Sequence, residues 1–246
     1  MKILALETSA KACSAALCDG ERLLAQSFQN CGLTHSVTLM PMVEELLKNC
    51  GETLDGVELV AVAAGPGSFT GVRIGVAAAK GLAWPGDKPC AAVSTLEAMA
   101  WTAAHVGGGI CPVMDARRGQ VYNARFRGEW GRPVRLTSDR AVSLDELAAE
   151  LEQEGAPQFL VGDGAEMCYN VLRERGLDVR LAPEHLRWQT AWGVARAALE
   201  LAGAEETVNG AALKPAYLRL SQAERERLAH LQEENAKQTE GSKSDV

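Results

Sequence analysis

Apolar and polar positions divide the chain into short periodic segments. Residues 2–6, 13–18 and 23–28 read as strands, and Asp19-Gly20 makes a hairpin turn between the last two. Leu39, Met40, Val43, Leu46, Leu47 and Cys50 recur at helical spacing and predict a helix over 39–50. Pro41 has no N–H, so it belongs in the first turn of that helix or kinks it. A strand at 57–64, a helix at 70–83, a strand at 90–93 and a helix from Thr95 to His105 follow, and Gly107-Gly108-Gly109 reads as a hinge. The pattern then recurs. Strands are predicted at 110–114, 121–126 and 134–136, with Arg117-Arg118-Gly119 as a hairpin tip. A helix runs from Ser143 to Gln153, where Ser143 and Glu146 have the spacing of a capping box. A strand at 159–161, the turn Gly162-Asp163-Gly164, a helix at 165–175, a strand at 179–181 and a helix at 190–202 complete the series.

Three antiparallel strands feeding alternating helices and strands, twice over, predict an α/β chain. Its class is the duplicated ribonuclease-H-like fold of the actin, sugar-kinase and Hsp70 group, two lobes each with a mixed sheet flanked by helices. The boundaries are an N-terminal lobe at 1–107 and a C-terminal lobe at 108–220, with helix 190–203 free to pack back on the first lobe. From Ser221 to Val246 the chain turns polar and reads as a solvated helix followed by a disordered end.

The most specific stretch runs from Val62 to Gly81. Gly65-Pro66-Gly67 ends a buried strand, Ser68 or Thr70 caps the next helix, and Gly71, Gly75 and Ala79 leave one helical face nearly without side chains. Each helical glycine costs roughly 1 kcal/mol relative to Ala, so another backbone must come close there. The bare face packs either on the protein's own sheet or against a partner helix. The spacing matches neither the Rossmann nor the Walker phosphate loop.

At 246 residues and 47% hydrophobic content the chain can bury a core in two domains. Its net charge of −7 argues against autonomous nucleic-acid binding, which needs clustered Lys and Arg. Seven scattered cysteines without a CxxC pair read as free thiols of a reducing compartment. Glu7 interrupts the N-terminal apolar run too early for a signal sequence, and no run approaches membrane length. These features predict a cytoplasmic protein with no membrane contact.

Five segments carry a family likeness: Leu6-Glu7-Thr8-Ser9, His35-Ser36 with Leu39-Met40-Pro41, Gly65 to Gly75, Met114-Asp115-Ala116-Arg117-Arg118-Gly119-Gln120-Val121-Tyr122, and Pro215-Ala216-Tyr217-Leu218-Arg219. Over residues 1–220 the chain resembles the TsaB family, also called YeaZ, of tRNA threonylcarbamoyladenosine biosynthesis. The resemblance implies an actin-like fold and a heterodimer with the catalytic paralogue TsaD, which transfers threonylcarbamoyl to the adenosine beside the anticodon. It also implies a TsaE ATPase in the same complex, a non-catalytic organising role for this chain, and tRNA reached only indirectly through the complex. No intrinsic cofactor or metal is implied, and a nucleotide at the heteromeric interface is left open. On this reading His35, Leu39, Met40, Val43, Leu46, Leu47, Gly71, Val72, Gly75 and Ala79 form the partner interface, and the same surface gives a weak homodimer when the chain is alone.

The residues themselves agree with a non-catalytic role. His35 is followed four residues later by Leu39, where the paralogue's His-x-x-x-His metal helix has its second ligand, and His105, His185 and His230 have no metal spacing. Lys11 and Ala12 stand where the paralogue has aspartates. Glu7, Arg117 and Arg118 are candidates for phosphate or partner contacts, with Asp115 as a second-lobe carboxylate. The competing class is an enzyme of the same fold, a metal-dependent glycoprotease or a small-molecule kinase. It requires paired metal ligands or a phosphate-binding acid with a catalytic Asp.

Overall fold

The structure is a computed structural model and describes residues 1–219; the polar tail expected over 221–246 lies outside the described residues. Strands β1 (Lys2–Glu7), β2 (Cys13–Asp19) and β3 (Arg22–Gln29) form an antiparallel meander. Helix α1 (His35–Asn49) leads to β4 (Leu59–Gly65), α2 (Phe69–Ala83), β5 (Cys90–Ser94) and α3 (Thr95–Ala103). The sheet order is β3-β2-β1-β4-β5, with β4 and β5 parallel to β1.

The second lobe repeats this plan. Strand β6 (Gly108–Arg117) takes the central position of β1. It pairs antiparallel with β7 (Gln120–Asn123) and parallel with β11 (Gln158–Val161), and β12 (Val179–Leu181) follows β11 in parallel. Strands β8 (Phe126–Glu129), β9 (Arg132–Arg135) and β10 (Arg140–Ser143) complete the sheet around β6 and β7. Helices α4 (Leu144–Glu154), α5 (Ala165–Glu174), α6 (Glu184–Arg187) and α7 (Ala191–Gly203) close the chain. Two sheets of one topology make this the duplicated ribonuclease-H-like fold that the sequence predicts.

Residue chemistry sets the layers. Alternation along β1 sends Leu4 and Leu6 to one face, where they meet Leu39, Val43, Leu46 and Leu47 of α1 and Val72 and Val76 of α2. Ile3 and Ala5 point to the other face, against Trp101 of α3 and Val194, Ala195 and Ala198 of α7. Helix α7 therefore covers the first lobe although it follows the second in sequence. Helix α3 also reaches the second sheet, where Leu96, Met99 and Ala103 pack with Ile110 and Phe126.

Three local expectations need correction. Gly108 and Gly109 are not a hinge: they open β6, and the Gln158 side chain lies where a Cβ on Gly109 would sit. The run 121–126 is two strands, because Ala124 and Arg125 carry the chain from β7 to β8, whose partners differ. Helix α1 begins a turn before its apolar repeat, so Pro41 lies inside it, on the exposed side where the lost N–H faces water. Among the described residues no helix is long and apolar enough to cross a membrane.

Candidate functional site

The C-terminal ends of β1 and β4 in one lobe face those of β6 and β11 in the other across a cleft of about 440 Å³. The first lobe contributes Ser9 to Lys11 and the start of α2. The second contributes the β6–β7 hairpin and Asp163, and residues 216–219 cross the opening.

Small residues hold the first-lobe wall together. Ser68 caps α2, its hydroxyl accepting from the Gly71 N–H at 3.3 Å, while its own N–H donates to the Ser9 carbonyl at 2.7 Å. The Thr8 hydroxyl donates to the Gly71 carbonyl at 2.8 Å. Glu7 lies behind this wall, fully buried, with Oε1 accepting from the Ser9 N–H at 2.5 Å and Oε2 without a protein partner. Burial pushes its pKa up to about 7, the Ser9 hydrogen bonds oppose that rise, and the nearby Asp163 charge adds to it.

Across the cleft, burial also raises the Asp163 carboxyl, although Gln189 Nε2 donates to it at 2.9 Å and Lys11 draws it back. Asp115 bonds the Arg117 N–H at 2.7 Å and pairs with its guanidinium at 3.1 Å. Arg117, Arg118 and Gly119 are successive left-handed residues, with φ of 66°, 58° and 71°. For an arginine that conformation costs about 1–2 kcal/mol, so the hairpin tip holds both side chains at the cleft mouth against a local preference.

The segment over the opening ties the lobes. The Ala216 N–H donates to the Ala64 carbonyl at 2.7 Å, and Arg219 Nη1 donates to the Ala116 carbonyl at 2.7 Å. Between them the Tyr217 ring stacks on Phe69 with centroids 4.6 Å apart. Arg73 lies 3.8 Å over Phe69 and donates from Nε to the Tyr217 hydroxyl at 2.8 Å.

The bare face of α2 is turned inward. A Cβ on Gly71 would overlap the Thr8 carbonyl, and one on Gly75 would stand 2.5 Å from Thr8 Oγ1 and 3.1 Å from Val62 Cγ2. Gly71, Val72, Gly75 and Ala79, with Leu39, Val43, Leu46 and Leu47, are spent in the protein's own core and cannot form a partner surface. Glu7 is likewise sealed and does not line the cleft. Of the expected interface, Met40 is exposed, and His35 is half-buried with Nε2 2.8 Å from the Ala10 carbonyl. The outward faces carry Val37, 70% exposed, and Met40 on α1 beside the charged Glu44, Glu45 and Lys48 of the same helix, and Thr70, Arg73, Ala77 and Gly81 on α2. Nothing lies within 4 Å of a Cβ built on Gly81. Phase along α2 was the available signal: Ala77 and Gly81 are small at the same four-residue spacing as Gly71 and Gly75. Ser9 and Arg219 stand inside motif segments that give them no role, and Gln189 carries no local signal; only the meeting of the lobes gathers them.

Among the described residues, no group of three or more His, Cys, Asp or Glu side chains is placed to hold a metal. Asp115 pairs with Arg117, and Asp163 accepts a hydrogen bond from Gln189.

A family model described as "TsaD: tRNA N6-adenosine threonylcarbamoyltransferase" matches residues 29–226. The chain is 35% identical over 229 residues to the tRNA threonylcarbamoyladenosine biosynthesis protein TsaB of Bacillus subtilis, covering 91% of this chain and 96% of that protein. It is 35% identical over 183 residues to TsaB of Escherichia coli, covering 73% and 79%. Among solved structures, YeaZ from Pseudomonas aeruginosa superposes with a TM-score of 0.75 at 28% identity, covering 88% of this chain and 99% of that one.

Proposed function

This chain belongs to the TsaB (YeaZ) family and to the pathway of tRNA threonylcarbamoyladenosine biosynthesis, and on that premise we propose that it is a non-catalytic scaffold for a TsaD-type catalytic paralogue. The two dock through the outer faces of α1 and α2, in a cytoplasmic complex that a TsaE-type ATPase joins. The observation that carries this reading is the outward stripe of Ala77 and Gly81 on α2, with Val37 and Met40 exposed on α1. Two small residues one turn apart let a facing helix approach, and flanking apolar side chains supply area that water would otherwise cover. The shared family model supports like-with-like docking, in which corresponding helices of two related folds pair about a pseudo-two-fold axis. The same face gives a weak self-pairing when the partner is missing. A lasting complex of this kind buries about 800 Å² per partner.

The test is modified-nucleoside analysis of tRNA after depletion of the protein. Wild type and His35→Ala restore threonylcarbamoyladenosine, and Ala77→Glu, which sets a charge in the stripe, does not. Full rescue by Ala77→Glu would remove the outer face from the function.

A further inference from the structure

Cations without an ion-pair partner line one cleft of this acidic protein, and others, such as Arg22, Lys48 and Arg180, are scattered over its outer surface. Arg125, Arg135, Arg140, Arg187 and Arg196 each pair with a carboxylate. Lys11, Arg118 and Arg219, all lining the cleft between the lobes, make no ion pair among the described residues. The two acids of the cleft do not cancel them: Asp115 pairs with Arg117, Asp163 accepts from Gln189 and feels Lys11, and Lys11, Arg117, Arg118 and Arg219 outnumber the two carboxylates. Beside these groups the Tyr217 ring, backed by Phe69 and Arg73, is 42% exposed.

From the cations that line the cleft and the exposed aromatic face beside them, we infer that the cleft mouth is an RNA contact, where Lys11, Arg118 and Arg219 take backbone phosphates of tRNA and Tyr217 stacks a base. Phosphates held by Lys and Arg with bases stacked on aromatic rings are the chemistry by which proteins take single-stranded or looped RNA. The left-handed tip that presents Arg118 suits such a role, since strained backbone persists where position matters. The net charge of −7 keeps the contact too weak to recruit tRNA alone, so it acts once a partner has brought the RNA near; in that respect the inference rests on the scaffold reading.

The experiment is a salt titration of tRNA binding by the full chain in complex with its TsaD-type partner. Lys11→Glu with Arg118→Glu is expected to lower affinity by at least about tenfold and to flatten the dependence of log K on log salt by about one to two. Tyr217→Leu lowers affinity with the slope unchanged. Partner capture and thermal midpoint stay at wild-type values in both variants. Unchanged tRNA affinity and slope in the double variant, with capture intact, would overturn the RNA contact and leave the scaffold reading standing. Loss of capture in wild type would fell the scaffold reading, and the isolated chain titrated at low salt would still report on the contact. An ATP titration of the isolated chain forms the remaining arm. Tight ATP binding that Lys11→Glu abolishes, without any change in tRNA affinity, would make this a free-nucleotide site and also overturn the proposal.

Discussion

Gly75→Ala and Gly81→Ala place the same methyl group in the same helix and are expected to move stability in opposite directions. At Gly75 the new Cβ would stand 2.5 Å from Thr8 Oγ1, so the Thr8 hydroxyl must rotate away from the Gly71 carbonyl it bonds at 2.8 Å. Thr8 is fully buried, and leaving its hydroxyl without an acceptor costs about 1–3 kcal/mol. Crowding against Val62 Cγ2 at 3.1 Å adds about 1 kcal/mol. The better helix propensity of Ala returns about 1 kcal/mol. The net loss is about 2 kcal/mol, a fall in thermal midpoint of about 4–8 °C for a chain of this length. At Gly81 a Cβ meets nothing within 4 Å, so only the propensity gain remains, and the midpoint rises by about 1–4 °C. Thermal unfolding followed by circular dichroism reads both. If Gly75→Ala were as stable as wild type, or if both variants moved the same way, the inward packing of α2 on Thr8 would be wrong.

Two further outcomes follow from the buried and capping groups. Glu7 holds its proton up to about pH 7 in the folded chain, against 4.5 as its ordinary value, so the folded state binds more protons in that interval and wild type loses stability as pH rises through it. Glu7→Gln keeps an acceptor for the Ser9 N–H and removes this loss; it should match wild type near pH 4 and exceed it by about 2–3 kcal/mol near pH 8, by denaturant unfolding at both values. An equal difference at both pH values would mean that Glu7 is not sealed. Ser143 and Glu146 close the cap of α4 through bonds of 3.1 Å and 2.8 Å, so Ser143→Ala should cost about 1 kcal/mol, with the loss read as faster amide exchange in α4. Unaltered exchange there would show that tertiary packing alone holds the first turn.

Much of the fold is written in local patterns. The short apolar runs of β1 and β2, the apolar repeat of α1 and the Ser143–Glu146 cap are each decided by neighbours in sequence, and these elements stand where the pattern puts them, apart from the extra first turn of α1. Edges and junctions are less legible. Strand β10 is short and half-buried throughout, so it shows no alternation, and it exists because β7 offers an open edge. Glycines report only that something is close, not what. Gly71 and Gly75 read equally well against a partner or against Thr8, and the deciding fact is the direction β1 takes after Glu7, a long-range property. The cleft is less legible still. Lys11, Asp163 and Arg219 are far apart in sequence, and each looks ordinary until the two sheets bring their strand ends together.

In the proposed complex an outward, open stretch of α2 meets the partner. The direct measurement is the affinity of Gly81→Arg for the TsaD-type paralogue, by titration calorimetry, with the thermal midpoint taken on the same sample. Arginine at an open helical position leaves the fold intact but holds a facing helix away. The expected result is an affinity loss of about a hundredfold or more, about 2.7 kcal/mol, at an undiminished midpoint. Wild-type affinity from the folded variant would contradict the central claim.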